Sequence, residues 1–229
     1  MNRIQSSPQI QNRIDLQRVA DMIEPGSRVL DVGCGDGALL DYLVHFKQVD
    51  GRGIELSQEG VNRSVSLGLA VIQGDAEIDL QHYPSDAFDY VILSQTLQSI
   101  YDVRGTLREL LRISRHAIVS FPNLGYWRVR FDLLVRGRSP MSEKLPYIWC
   151  DSPNIRFCTL TDFVTLAGEM GFVIDRIISI DHSGRAMPRD TVGRWTNWLA
   201  EEAIYLLSRE ESPDSASQGS AEAPLPAEQ

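Results

Sequence analysis

Long apolar runs and paired cysteines are both missing from this chain of 229 residues. No stretch approaches the roughly 18 apolar residues of a membrane-spanning helix, and the first residues lack the apolar segment of a secretion signal. The three cysteines, Cys34, Cys150 and Cys158, have no CxxC spacing, so neither a disulfide framework nor a metal site is expected. We therefore expect a soluble protein of the reducing cytoplasm that does not bind a membrane.

Positive charge is also scarce, because 22 Lys and Arg stand against 31 Asp and Glu and give a formal net charge of -9. This balance argues against binding to the phosphates of a nucleic acid. The last twenty residues hold five acids and no base among many Ser, Pro and Ala. So few bulky apolar side chains cannot offset the entropy of ordering, and we predict a disordered acidic tail over 210–229. Residues 1–209 are expected to form a single domain.

A glycine-rich junction between an apolar strand and a helix is the most informative segment that is present. Three glycines alternate in it, at Gly33, Gly35 and Gly37. Alternate glycines let the backbone turn sharply and lie against a ligand, and the helix that follows offers unpaired N–H groups. The junction therefore predicts a ligand-binding loop. Gly33, Gly35 and Ala38 also satisfy the dinucleotide pattern G-x-G-x-x-G/A, so the loop alone does not choose a cofactor.

Carboxylates around and beyond this loop separate the cofactors. Glu55 ends the next apolar stretch about 20 residues later, where an acid accepts hydrogen bonds from ribose hydroxyls. Asp75 ends the apolar stretch after that. Asp31 and Asp36 would repel the pyrophosphate of NAD, whereas they would attract the ammonium and sulfonium groups of S-adenosylmethionine (SAM). SAM or S-adenosylhomocysteine is therefore favoured over NAD.

Apolar strands and helical segments alternate along the chain, which predicts a parallel sheet with crossover helices. Strands are predicted near 29–32, 53–55, 69–75, 88–94, 117–121, 172–180 and 203–207. The last two are expected to form an antiparallel hairpin at one edge. A helix before the first strand follows from the spacing of Leu16, Val19, Ala20 and Ile23, and Thr161 is the predicted cap of a late helix that ends at Met170.

The loop and the acids that follow it, in this order, resemble class I SAM-dependent methyltransferases. The resemblance implies a three-layer, Rossmann-like α/β fold with a seven-stranded sheet that is mostly parallel with one antiparallel edge strand. It also implies that the loop holds the methionine half of SAM, Glu55 the ribose and Asp75 the adenine. The predicted cofactor-binding residues are Asp31, Gly33, Cys34, Gly35, Gly37, Glu55, Leu56, Asp75, Ala76 and Ser94.

Aromatic side chains alternate with arginines in the segment 123–158, an elaboration after the fifth strand. Such a mixture forms a protein interface, a lid over an anionic substrate or a nucleic-acid platform, and the acidic composition disfavours the last. The alternative is an ordinary amphipathic helix over roughly 127–135, which would pack Phe131, Leu134 and Val135 onto the sheet. In either case the segment is expected to border the cofactor cleft, since it follows the carboxyl end of a strand.

Four runs narrow the resemblance to one family, at 29–37, 94–98, 120–130 and 151–155. They look like the methionine biosynthesis protein MetW family, and the run Phe-Pro-Asn-x-Gly-x-Trp-x-x-Arg is the most specific. The resemblance extends over about 15–208 and implies an accessory subunit that supports a homoserine O-acyltransferase. Trp127, Arg128 and Arg130 are the predicted partner-binding residues. Arg156 departs from the pattern, because the family is expected to have His there.

An independent SAM-dependent methyltransferase of small molecules is the alternative function. Methyl transfer from a sulfonium depends on positioning and often needs only one base, so the lack of an obvious catalytic pair does not exclude it. The catalytic residues stay unknown, and Asp151, Tyr126 and His182 are the candidate acids or bases. The run that begins at Ser94 lacks the Asn/Asp-Pro-Pro-aromatic pattern of amino-group methyltransferases. Cys34 is expected to pack within the loop rather than to act as a nucleophile.

Overall fold

The structure is a computed structural model that describes residue 10 and residues 13–139, 141, 148–187 and 191–210. The strands are β1 Arg28–Val32, β2 Asp50–Glu55, β3 Ala70–Gln73, β4 Phe88–Ser94, β5 Ser114–Pro122, β6 Phe172–Ile180 and β7 Glu202–Arg209. The helices are α1 Ile14–Asp21, α2 Ala38–Lys47, α3 Gln58–Ser66, α4 Ala76–Asp79, α5 Val103–Ile113, α6 Trp127–Arg136, α7 Leu160–Glu169 and α8 Arg194–Leu199. Short 3₁₀ turns occupy Leu80–His82 and Leu97–Ser99.

The strands form one seven-stranded sheet in the order β3-β2-β1-β4-β5-β7-β6. Among the described strands, only β7 runs antiparallel to its neighbours. The predicted class I methyltransferase fold is thereby confirmed. The reversed strand lies one place inside the edge where it was expected, and β6 forms the edge. Burial accounts for this order, since Ala203, Ile204 and Tyr205 of β7 are fully buried while the first half of β6 is mostly exposed.

Two apolar clusters cover the two faces of the sheet and give the three layers. Residues of α1 and α2 pack on one face, where Val29 and Ile92 lie, and residues of α5 and α7 pack on the other. Three buried rings anchor the second face: the Tyr205 ring lies 5.6 Å from that of Phe121 and 4.6 Å from that of Phe163, between centroids. Aromatic contacts of this kind stabilise a core beyond their buried area.

The cap of α7 lies two residues before the predicted one. Thr159, not Thr161, is the N-cap, because Asp162 three residues later completes a capping box with it. The Thr159 hydroxyl accepts a hydrogen bond from the Asp162 N–H at 3.2 Å, and the Asp162 carboxylate accepts one from the Thr159 N–H at 3.0 Å. Thr161 has no such acid at the third position, and it lies inside the first turn of the helix.

Helix α6 does not pack as the amphipathic alternative predicted. Phe131, Leu134 and Val135 are 59%, 83% and 64% exposed, and only Val129 of this helix is buried. These three side chains are therefore largely open to solvent. Within the described residues, no helix is long and apolar enough to cross a membrane. Apart from Glu210, the predicted tail lies outside the described residues.

Candidate functional site

The glycine loop joins β1 to α2 with three residues in the left-handed region. The φ angles of Gly33, Gly35 and Gly37 are 73°, 60° and 80°, which side chains rarely adopt. A Cβ on Gly33 would lie 2.5 Å from the Thr96 hydroxyl, whereas a Cβ on Gly35 would meet no protein atom within 4 Å. Gly33 is therefore required for packing, while the Gly35 backbone borders open space that a ligand can fill.

Glu55 fastens this loop to the end of β2. Its Oε2 atom accepts a hydrogen bond from the Gly35 N–H at 2.8 Å, and its Oε1 atom accepts one from the Ser57 N–H at 2.8 Å. A carboxylate has about four acceptor positions, so two remain for other donors. The predicted acid and the predicted loop thus lie in direct contact, although they are 20 residues apart in the chain.

Two ionisable groups at the loop are buried, Asp31 just before it and Cys34 within it. Asp31 is 3% exposed, and burial, followed by the negative charge of Glu55, raises its pKa to about 7. Burial also raises the pKa of the Cys34 thiol to about 12, with smaller contributions from Asp31 and Glu55. Cys34 is therefore an uncharged thiol at neutral pH. Its Sγ occupies the space beside Gly53, where a Cβ would lie only 2.8 Å away, which agrees with a packing role.

The ends of β2 and β3 lie side by side next to the loop. The Gly74 N–H donates to the Glu55 carbonyl at 3.1 Å, so Asp75 and Ala76 begin α4 close to Glu55. Asp75 caps that helix through its Oδ1 atom, which accepts from the Glu77 N–H at 2.9 Å. Leu56 is 68% exposed beside these groups. An exposed leucine between two acidic strand ends offers an apolar surface for a flat ligand.

The end of β4 supplies the last predicted site residue, Ser94, and two residues that were not predicted as site residues, Gln95 and Thr96. The Ser94 hydroxyl lies 3.0 Å from the Ser120 hydroxyl of β5. Thr96 packs against Gly33, and its hydroxyl donates to the Ser94 carbonyl at 3.0 Å. Gln95 has a φ of 56° and donates through Nε2 to the Glu202 carboxylate. A polar β-branched residue after a strand was the only available signal for Thr96, and nothing in the sequence marks the Gln95 backbone.

The Phe-Pro-Asn-x-Gly run has a structural explanation in Asn123, which is 2% exposed. Its Nδ2 atom donates to the Asn197 and Ala200 carbonyls, both at 2.8 Å, and its Oδ1 atom accepts from the Gly125 N–H at 2.8 Å. A Cβ on Gly125 would lie 2.6 Å from the Asn197 Oδ1 atom. The run therefore fixes the chain between β5 and α6 against the segment that precedes β7.

The three predicted partner-binding residues lie at the start of α6 and differ in how strongly their side chains are held by contacts within the chain. Trp127 is half-buried, with its ring edge-on to that of Tyr126. The Arg128 guanidinium lies 5.5 Å from the centroid of the Trp127 ring. Arg130 donates through Nε to the Gly125 carbonyl at 2.6 Å and lies 5.3 Å from the Trp198 ring centroid. Arg130 thus holds two parts of its own chain together.

Two of the three candidate acids and bases line one cavity, and the third lies outside it. Tyr126 is 2% exposed, and burial raises the pKa of its hydroxyl. Tyr126 and the exposed His182 line one cavity of about 480 Å³, together with Arg128 and Glu201. Asp151 is exposed in a turn and does not line that cavity. The geometry does not single out one of the three as a general base.

Comparison with a solved structure and with a curated sequence supports the fold. A SAM-dependent methyltransferase from Thermotoga maritima superposes with a TM-score of 0.64 at 17% identity, over 88% of this chain and 91% of that one. Demethylmenaquinone methyltransferase from Listeria monocytogenes is 26% identical over 72% of this chain and 76% of its own length. Identities this low establish a shared architecture.

A nearer relative is the bifunctional methionine biosynthesis protein MetXA/MetW from Rhodopirellula baltica. It is 35% identical over 208 residues, which are 86% of this chain and 33% of the relative. The chain therefore spans about a third of that relative's length. The family described as methionine biosynthesis protein MetW matches residues 13–207. Because that match takes in nearly all of the described residues, the chain belongs to the MetW family.

Proposed function

We propose that this protein is a SAM-binding accessory subunit that contacts a homoserine O-acyltransferase and supports its activity in methionine synthesis. The observation that carries the proposal is the exposed apolar face of α6, formed by Phe131, Leu134 and Val135. Contiguous apolar side chains rimmed by polar ones mark interaction sites. The family supplies the partner, since the Rhodopirellula baltica relative carries MetXA and MetW in one polypeptide. We take its MetXA part to be the acyltransferase.

The charge around the α6 face also supports a protein partner. Arg128, Arg130 and Arg136 lie on this helix with one acid, Asp132, which pairs with Arg136 at 2.9 Å. The helix is thus positive in a chain with a formal net charge of -9. A local charge of this kind steers association with an acidic surface and raises the association rate. We expect the partner to present an apolar groove with an acidic rim.

Paired variants test the α6 face. Phe131→Ala with Leu134→Ala should lower the affinity for the acyltransferase of the same organism by about 2 kcal/mol or more, since large buried side chains dominate interfaces. The melting temperature should stay unchanged, because both side chains are exposed in the free protein. Val65→Ala with Val173→Ala, at exposed positions on α3 and β6, is the matched control. Titration calorimetry and acyltransferase turnover are the measurements.

The affinities of these variants test where the partner binds as well as whether the protein has the accessory function. Full affinity in the Phe131 and Leu134 variant would move the interface away from α6. The combination of Trp127→Ala with Arg130→Ala is a less selective test, because Arg130 also holds Gly125 and Trp198 in place. That variant is expected to lose both partner affinity and melting temperature. Failure of the acyltransferase to co-purify with the unaltered chain would contradict the accessory function itself.

The cofactor part of the proposal rests on the fit of the loop. The open space over Gly35 and the buried Asp31 match the backbone and the ammonium group of the methionine half of SAM. Glu55 would accept from the ribose hydroxyls with its remaining lone pairs, and Leu56 would cover one face of the adenine. When bound, SAM supplies a methyl group activated by its sulfonium. Gly33, Gly37, Asp75, Ala76 and Ser94 complete the proposed site.

A ligand-induced rise in melting temperature tests this site. S-adenosylhomocysteine should stabilise the protein, whereas NAD should not. Gly35→Val should abolish the rise, since the side chain would fill the ligand space. Gly171→Val is the matched control, because Gly171 also has a positive φ, of 71°, and an unobstructed Cβ direction outside the loop. Equal shifts with both ligands, or a rise that survives in Gly35→Val, would contradict the assignment.

Independent methyl transfer to a small molecule is the second candidate, favoured by the same open loop. It predicts that the protein without its partner transfers labelled methyl groups from SAM to a component of a small-molecule extract. The accessory function predicts no transfer above that of Gly35→Val. The two candidates therefore differ in one measurement that does not need the identity of the acceptor.

A further inference from the structure

A second cavity lies away from the glycine loop, on the face of the sheet that carries α5 and α7. Its volume is about 400 Å³, within the usual range for small-molecule sites, roughly 300–1,000 Å³. Its walls come from the 3₁₀ turn Leu97–Ser99, the start of α5, the end of β5, the segment before α7 and α7 itself. Apolar side chains form most of it, among them Phe121, Phe163 and Leu166.

Three of the four charged side chains that line this cavity are held in helix caps or an ion pair, and the fourth, Arg156, is not. Asp102 caps α5 by accepting from the Gly105 N–H at 2.9 Å, and Asp162 belongs to the capping box of α7. Arg104 pairs with Glu169. Arg156 makes one hydrogen bond, from its guanidinium to the Tyr101 carbonyl at 2.9 Å, and no described carboxylate lies within ion-pair distance. Four of its five N–H donors are therefore available for an anion.

Gln98 lines the same cavity and carries a buried acceptor. Its side-chain Nε2 atom donates to the Gln95 carbonyl at 2.8 Å. Its backbone carbonyl accepts from the Ile155 and Arg156 N–H groups at 2.8 and 2.9 Å. Its Oε1 atom is buried and has no hydrogen-bond partner among the described residues. A buried acceptor without a partner destabilises the ligand-free protein, and a ligand with a donor would relieve that cost.

We propose that this cavity binds a free α-amino acid with a large apolar side chain. The carboxylate pairs with Arg156, the ammonium donates to the Gln98 Oε1 atom near the negative charges of Asp102 and Asp162, and the side chain packs on Phe121 and Phe163. No other group of the described cavity wall offers an unpaired cation. The site differs from the proposed cofactor site, with which it shares no residue, and it stands whether or not SAM binds.

Position supports this separation. Thr96 packs against Gly33 in the glycine loop, and Leu97 and Gln98 directly after it line the cavity. The turn that begins there thus has the loop on one side and the cavity on the other. A ligand in the cavity contacts the same short turn that closes the loop, but it does not enter the loop.

Three related probes test the chemistry. L-phenylalanine should raise the melting temperature by about 3–6 °C at ten times its dissociation constant. 3-Phenylpropanoate, which lacks the ammonium, and L-phenylalaninol, which lacks the carboxylate, should each bind at least about tenfold more weakly, since each loses a charged hydrogen bond. Equal binding of the three would show an apolar site without amino-acid recognition and would overturn the proposal. Absence of any saturable shift with L-phenylalanine would overturn it as well.

Variants place the probe in the cavity. Arg156→Gln should weaken L-phenylalanine about tenfold or more, and Arg176→Gln, at an exposed arginine of β6, should not. Leu166→Trp should abolish binding by filling the space, and Thr165→Trp on the exposed side of the same helix should leave it intact. Gly35→Val should retain the response. Loss of the response in Gly35→Val would place the amino acid in the glycine loop and refute a separate site.

Discussion

A carboxylate buried as deeply as Asp31 is stable only where a proton or a cation accompanies it. Its folded pKa of about 7 lies far above the usual value. Between about pH 4 and pH 7, Asp31 is therefore protonated in the native protein but ionised in the unfolded chain. The stability of the ligand-free fold therefore falls as the pH rises through this window, because the ionised form is penalised by burial and by Glu55. An ammonium group beside Asp31 would remove that penalty.

Replacement of Asp31 by Asn tests this residue. The gain in the free energy of unfolding of Asp31→Asn over the unaltered chain should grow by about 2–3 kcal/mol from pH 5 to pH 8. Asp89→Asn is the contrasting control, because hydrogen bonds from Arg28 hold the pKa of Asp89 below its usual value and it is already ionised across this range. Urea unfolding at several pH values gives the measurement. A gain that does not depend on pH would contradict the assigned pKa.

Glu55 has two tasks at the residue scale, since it holds the loop and faces the proposed ribose position. Glu55→Ala should lower the free energy of unfolding by about 1–3 kcal/mol, because the Gly35 and Ser57 N–H groups lose their acceptor. Affinity for S-adenosylhomocysteine should fall by a similar amount. Glu59→Ala, which removes an exposed pair with Arg63, should change stability by less than about 1 kcal/mol. Unchanged stability in Glu55→Ala would show that the loop does not need this carboxylate.

At the scale of elements, Asn123 ties β5 to the chain before β7 and to the start of α7. Besides its bonds to the Asn197 and Ala200 carbonyls, its Oδ1 atom accepts from the Leu160 N–H at 3.3 Å. Asn123→Ala should lower the free energy of unfolding by about 2–4 kcal/mol, since several buried groups lose partners at once. Asn62→Ala on the exposed side of α3 is the control. Thermal unfolding that is equal for both variants would contradict a structural role.

Most elements were predictable because their signals are local. The runs that became β4 and β6 have the predicted bounds, and alternation of strands with helices fixes parallel pairing for most of the sheet. The position of β7 within the sheet could not be predicted from the local sequence. It depends on burial of Tyr205 between Phe121 and Phe163, which come from other parts of the chain. Periodicity alone likewise missed the Thr159 cap, whose choice depends on Asp162.

In the candidate site, too, the residues with local sequence signals were predicted and those that depend on distant partners were not. Gly35 and Glu55 were identified from spacing, and the structure places them in contact. Gln95 and Thr96 were missed, because their roles depend on Glu202 and Gly33, which are distant in sequence. The apolar residues of α6 fitted an amphipathic helix, yet periodicity cannot tell a face that packs on its own sheet from one left for a partner. Exposure in the folded chain was needed to decide.

At the scale of the whole molecule, the two proposed functions use different residues at the carboxyl edge of the sheet. The glycine loop and the acids lie at the carboxyl ends of β1, β2, β3 and β4, whereas α6 follows β5. The negative charge is also uneven, since five of the 31 acids lie in the last twenty residues, where there is no base. Partner binding through the arginines of α6 should therefore weaken with added salt, while SAM binding should respond less.

The predicted boundary at residue 209 is tested by removal of the tail. The strand β7 ends at Arg209, which pairs with Asp86, so a chain truncated after Arg209 keeps every described strand. Because residues 210–229 contain almost no bulky apolar side chains, their loss should change the melting temperature by less than about 2 °C. Binding of S-adenosylhomocysteine should be unaffected, since the proposed site lies in the first half of the chain. A truncation after Leu206 is the control, because it removes the buried Leu207 and part of β7 and should unfold the protein at a clearly lower temperature. A large loss of stability in the longer chain would show that the tail belongs to the domain.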